Sequence, residues 1–201
     1  MTFQSNWIAK YLDSITELEK SNEINLNKFR YKNLLEKVDK LQLVIVGQDP
    51  YPKGANGIAF CKNTFDELLD QYCCGKDVFV SLGINIQSAS KEFKSPVEFF
   101  EYLLVEKGIA FINVNHKLFA ENKDSSEEFI PYNEAFLSKA ENIAILGETL
   151  SKDVFFKYYP HYKEAKCFIH PSGKARNNFP LKWEAVWGTN FLQKTYFPHQ
   201  N

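Results

Sequence analysis

The sequence predicts an α/β fold, a three-layer sandwich in which a central four-stranded parallel sheet is flanked by helices. Three observations lead there. Four short apolar runs stand out, Leu41–Gly47, Ile109–Val114, Asn142–Gly147 and Lys166–His170, each of strand length and rich in β-branched or aromatic residues. They are continuous rather than alternating, which suits strands covered on both faces. The segments between them carry helical signals, and strands alternating with helices give a parallel sheet.

Taken in order, Asn6 to Lys20 sets Trp7, Ile8, Tyr11, Leu12, Ile15 and Leu18 on one stripe and predicts an amphipathic helix. The first strand, LQLVIVG, then breaks into Gly47-Gln48-Asp49-Pro50-Tyr51-Pro52. The run from Cys61 to Phe79 is read as core packing from its aromatic and cysteine content. Ser95-Pro96 is an N-cap followed by proline at the first helical position, and Gly108 stops that helix before the second strand. The polar stretch Ala120–Glu128 is a surface loop, Pro131–Ala140 a helix before the third strand, and Trp183–Phe197 a packed helix and tail. Residues 1–201 are expected to form one domain.

Composition narrows the function. The net charge is −1, so no global basic signal points to nucleic acid, although a local basic face remains open. Lys10, Asp13 and Glu17 interrupt the start of the chain, so it lacks the apolar core of a signal peptide. No apolar run approaches the roughly 20 residues of a membrane span. Cys61, Cys73, Cys74 and Cys167 form no C-x-x-C pair and are read as reduced thiols of a cytoplasmic protein. His116, His161, His170 and His199 are scattered with no H-E-x-x-H, so a zinc site is not expected.

The chemistry is sought at the strand ends, because ligands of parallel α/β sheets bind beyond the carboxyl ends of the strands. Gly47 allows a sharp turn, and Pro50 and Pro52 stiffen a loop that could hold Asp49 and Tyr51 in fixed directions. The plain alternative is a tight turn with an exposed Asp. Asn113 ends the second strand with an amide that suits a nucleobase edge, though taken alone it reads as a turn residue or cap, and Asn115 competes for the role. His170-Pro171-Ser172 ends the fourth, where a histidine could donate to a developing negative charge and the serine could hold a phosphate. A loop with a satisfied histidine is the bland counterpart.

Taken together, these pieces resemble the family-1 uracil-DNA glycosylases. The family's Gly-Gln-Asp-Pro-Tyr motif is matched by Gly47–Tyr51, and its Gly-Leu-Ala-Phe segment is similar to Gly57-Ile58-Ala59-Phe60. Its Ser-Leu-x-Asn-Ile segment resembles Ser81–Ile86 with one residue inserted. Gly108–Asn113 and His170–Ser172 follow in the family's order, so the matches span residues 41 to 172. The resemblance implies hydrolysis of the glycosidic bond of a uracil flipped out of DNA, without metal or organic cofactor. It implies catalytic roles for Asp49, which orients water, and His170, which donates to uracil O2 with backbone N–H groups near Gln48. It also implies that Phe60 stacks on the base, Asn113 reads its edge and Tyr51 excludes a methyl at C5. Ser81 and Ser172 would grip phosphates; helix capping or loop hydrogen bonding is the alternative for both. The implied protein is a DNA-binding monomer of the cytoplasm, nucleoid-associated if bacterial.

The chain departs from the family at two places. Pro52 stands where the family has His, and the following loop is two residues shorter. After His170 the family continues Pro-Ser-Pro-Leu-Ser, with the leucine as a wedge in the duplex; this chain has Pro171-Ser172-Gly173-Lys174-Ala175-Arg176. Lys174 and Arg176 can bind phosphates but cannot fill an emptied base stack. Single-stranded or already distorted DNA is therefore the expected substrate. Three other readings stay open: a glycosylase for another modified or deaminated base, a low-activity module that binds modified bases, and an α/β protein of unrelated function.

Overall fold

The computed structural model describes residues 25–51, 54–116, 129–148 and 150–171. Within them the elements run as follows. A helix over residues 25–33 (α1) continues into a 3-10 turn, Leu34–Lys37. Strand β1 (Leu43–Gly47) is followed by helices α2 (Phe65–Leu69), α3 (Cys74–Ser81), α4 (Ile86–Glu92) and α5 (Pro96–Lys107). Then come β2 (Ile109–Asn113), α6 (Ile130–Leu137), β3 (Ile143–Leu146), α7 (Leu150–Tyr158) and β4 (Lys166–Phe168). The helix expected at Asn6–Lys20, the loop at Ala120–Glu128 and the segment Trp183–Phe197 lie outside the described residues.

The four strands form one all-parallel sheet in the order β2-β1-β3-β4, flanked by helices, as the apolar runs predict. Every residue of β1, β2 and β3 is buried, whereas β4 at the edge is exposed at Lys166 and buried only at Phe168. Strand bounds move slightly from the expected runs. Leu41 joins Ala140 in an isolated parallel bridge ahead of β1, and β4 stops two residues short of His170, which stands in the loop beyond it.

Sequence signals at the helix ends act as anticipated. The Ser95 side chain accepts from Glu98 N–H, Pro96 opens α5, and Gly108 at φ +64° closes it in the left-handed region that glycine adopts without strain. The helix expected at Pro131–Ala140 spans Ile130–Leu137, because Ser138–Ala140 turn through successive i to i+3 and i+4 bonds toward the bridge with Leu41. Below the sheet tips, Phe79, Phe100 and Phe111 form an aromatic core, with centroids 5.2 Å apart for Phe79–Phe100 and 4.9 Å for Phe100–Phe111. The outer edge of β2 is closed by a side chain: Phe111 N–H donates to the buried Tyr31 hydroxyl at 3.2 Å. This satisfies an edge donor that would otherwise be open to pairing or stranded in the core.

The topology also fixes where a site can form. The chain leaves β1 toward β2 on one side, and leaves β3 toward β4 on the other. The crevice beyond the carboxyl ends of β1 and β3 is thus a topological switch point, the place where open α/β sheets bind ligands. Gln48 and Asp49 follow β1 directly into it.

Candidate active site at the strand tips

Gly47 and Asn113 are register partners at the tips of β1 and β2. Pairing runs on beyond them, since Val114 N–H donates to Gly47 O and Asn115 N–H to Gln48 O, both at 2.9 Å. A Cβ built on Gly47 would lie 2.6 Å from Asn113 Oδ1 and 3.0 Å from Cε2 and Cζ of Phe60. The amide and the ring therefore meet over Gly47, and any larger residue there would evict one of them. Asn113 and Phe60 are each 7% exposed.

Phe60 reaches this place through an unusual backbone. Its φ is +62°, the only left-handed non-glycine among the described residues, and such a conformation costs about 1–3 kcal/mol and persists only where its surroundings enforce it. Asn56 is one enforcer. Its buried amide donates to Cys61 Sγ at 2.9 Å and Lys62 O at 2.8 Å, while its Oδ1 accepts from Ile58 N–H at 3.2 Å. One side chain thereby ties both ends of the Gly57–Cys61 loop.

Tyr51 is equally constrained. Its hydroxyl accepts from Gly75 N–H at 2.8 Å and lies 3.4 Å from Cys73 Sγ, and Lys62 Nζ sits 3.8 Å from its ring centroid. Burial and the neighbouring thiols raise its phenol far above the ordinary range, so it stays protonated.

His170 and Asp49 belong to strands two places apart in the sheet, about 10 Å at ordinary strand spacing. The loops bring them within electrostatic reach. Burial lowers the His170 pKa, and the Asp49 carboxylate partly opposes that shift. Both side chains are half-buried, as is Gln48. The imidazole is thus neutral at pH 7, able to donate one hydrogen bond and accept another.

Of the remaining residues expected at the site, Ser81 closes α3 and its hydroxyl donates to Val78 O. That bond lies inside the last turn of the helix. Ser172, Lys174 and Arg176 lie outside the described residues, as does Pro52. Asn115, the competitor of Asn113, is buried with its peptide engaged by Gln48 O.

Sequence reasoning missed two supports of the site. Asn133, fully buried on α6, donates to Asn113 O at 3.0 Å and to Tyr159 Oη at 2.9 Å, and its Oδ1 lies 3.0 Å from His116 Nε2. A signal existed: Asn133 lies three and four residues before the core residues Phe136 and Leu137, on the buried face of its helix. The other support, Gly75 at the start of α3, is one glycine between Cys73-Cys74 and Lys76-Asp77 and carries no periodic signal.

The described groove of about 390 Å³ beside α3 and α4 is lined by Leu69, Val80, Ile84 and Ile86 among others, and by none of these site residues. Among the described residues no group of acidic, histidine or cysteine side chains could hold a metal ion, and no helix is long and apolar enough to cross a membrane. The chain matches no protein-family model, and no curated protein matches its sequence.

Proposed function

We propose that the protein is a DNA glycosylase that hydrolyses the N-glycosidic bond of uracil flipped out of DNA. The observation that carries this reading is the convergence at the sheet tips. Asp49 and the lowered His170 lie within electrostatic reach, while Asn113 and Phe60 meet over Gly47. A carboxylate, a neutral imidazole, an amide and an aromatic ring are the groups this reaction needs around one base.

In the proposed reaction, Phe60 stacks on the flipped base and the Asn113 amide pairs with its edge, where uracil offers one donor flanked by carbonyls. As N1–C1′ stretches, positive charge develops on the sugar and negative charge on the base. Neutral His170 donates to uracil O2 and stabilises that anion. Asp49 favours the cationic sugar and orients the water that attacks C1′. The water oxygen joins C1′, the bonding pair of N1–C1′ leaves with the base, and the proton lost by water balances the proton taken up at N1. The products are free uracil and an abasic site. A neutral imidazole suits this role because its donor needs no proton uptake from solvent.

Lys174 in place of an apolar wedge favours single-stranded or already distorted DNA as substrate. The test is release of free base from uracil-containing oligonucleotides, single-stranded and as U·A and U·G duplexes, with Asp49→Asn as control. Uracil release by the wild type and its collapse in the variant are expected, with single strands the best substrate. No uracil release from any of the three sinks the proposal, and duplex rates at or above the single-strand rate sink the substrate preference.

A further inference from the structure

The geometry points to Gly75, at the start of α3, as the positioning residue that sets both aromatic walls of the site and hence its selectivity at C5 of the base. The inference rests on the glycosylase reading and adds a residue from a stretch that the sequence marks only as core.

Two contacts meet at Gly75. Its N–H donates to the Tyr51 hydroxyl at 2.8 Å. A Cβ there would lie 2.5 Å from the backbone oxygen of Phe60, 3.1 Å from Leu68 Cδ1 and 3.3 Å from Tyr51 Oη. A carbonyl cannot yield as the end of a flexible side chain does, so even alanine at position 75 must displace the peptide of Phe60. That peptide is the one carrying φ +62°, and its ring is the one packed over Gly47 beside Asn113. The same methyl would crowd the Tyr51 hydroxyl. Gly75 therefore supplies a donor that fixes one ring and a gap that admits the backbone of the other.

Tyr51 has little else to fix it on that side. Its hydroxyl has Cys73 Sγ at 3.4 Å, a weak partner, so the Gly75 N–H is the strong bond. Position 75 is a site where one methyl shifts two walls of a base-sized pocket together. Apolar pockets discriminate single methyl groups only modestly, by about 10–200-fold, and an ångström of slack at the wall is enough to lose that margin.

The experiment compares wild type, Gly75→Ala, Tyr51→Phe and the double variant. Base release from single strands containing uracil, thymine or 5-hydroxymethyluracil is measured, and thermal unfolding certifies each fold. Each single variant is expected to lower the uracil-to-5-substituted ratio of kcat/KM by about tenfold. The double variant should be no worse than Gly75→Ala alone, because the alanine methyl already disrupts the Tyr51 contact that Tyr51→Phe removes. Folded single variants that keep the wild-type ratio, or losses that multiply in the double variant, overturn the inference. Tyr51→Phe removes only a hydroxyl, so it carries the test if Gly75→Ala does not fold. Amide exchange at Gly75 gives a readout independent of activity: Tyr51→Phe should expose this N–H at least about tenfold, the order of one lost hydrogen bond. A wild type that releases no base sinks the glycosylase reading; the clamp then stands or falls on the exchange result, and unchanged exchange sinks it.

Discussion

Two imidazoles lie beyond the carboxyl ends of the strands, His116 after β2 and His170 after β4, and burial depresses the pKa of both. Their surroundings differ. His116 is enclosed: it stacks on Phe129 at 4.3 Å, meets Tyr132 edge-on at 5.0 Å and bonds the Asn133 amide. Burial, helped by the Lys28 charge, pushes it down to about 3. His170 is only half-buried, sits past an edge strand and has the Asp49 carboxylate as an electrostatic neighbour. The first histidine is embedded in a satisfied polar network that fixes the tip of β2. The second is held neutral yet accessible. A lowered pKa by itself therefore says little about role; the partners and the exposure separate an enclosed strut from the half-buried imidazole to which the proposed function gives a catalytic role.

The sharpest way to break this contrast is to remove each ring. His170→Gln should lower kcat for uracil release by about 10²–10³, the effect of losing one oxyanion donor. It should leave thermal stability almost unchanged. His116→Phe should do the reverse. The stack on Phe129 survives, but the Asn133 oxygen loses its partner, which costs about 1–3 kcal/mol by urea unfolding at pH 7. Its kcat should stay within about threefold of wild type. Equal kinetic losses in the two variants would erase the distinction.

Acidification sharpens the comparison. A histidine with a depressed folded pKa binds a proton more readily in the unfolded chain, so stability falls as pH drops below the ordinary 6.5. For His116 the fall continues down to about pH 3, at no more than about 1.4 kcal/mol per pH unit. Unfolding curves between pH 7 and 3 should show this slope in wild type and a shallower one in His116→Phe. Uracil release should keep its rate down through pH 6.5 and lose it only as His170 protonates below that value. An acid limb centred above 6.5 would contradict the neutral, depressed His170.

The smallest effect is expected at position 174, which lies outside the described residues. Lys174→Leu should raise the duplex-to-single-strand activity ratio by about fivefold, since an apolar side chain offsets part of the unstacking. No change would mean that position 174 does not enter the stack.

The sequence by itself determined the sheet, because unbroken apolar runs can only be buried on both faces, and it marked α5 at both ends through Ser95, Pro96 and Gly108. It also put Asp49, Asn113 and His170 at or just beyond strand tips, since apolar character stops where each strand leaves the core. Tertiary structure alone decided what those tips meet. The order β2-β1-β3-β4 brought the loops after the edge strand β4 and the inner strand β1 within electrostatic reach, and no local pattern encodes strand order. The Gly75 clamp and the Asn133 network depend on contacts between residues tens of positions apart, such as Tyr51 with Gly75 and Asn133 with Asn113. Periodicity reports which face of an element is buried; it carries no record of which buried polar groups will find each other.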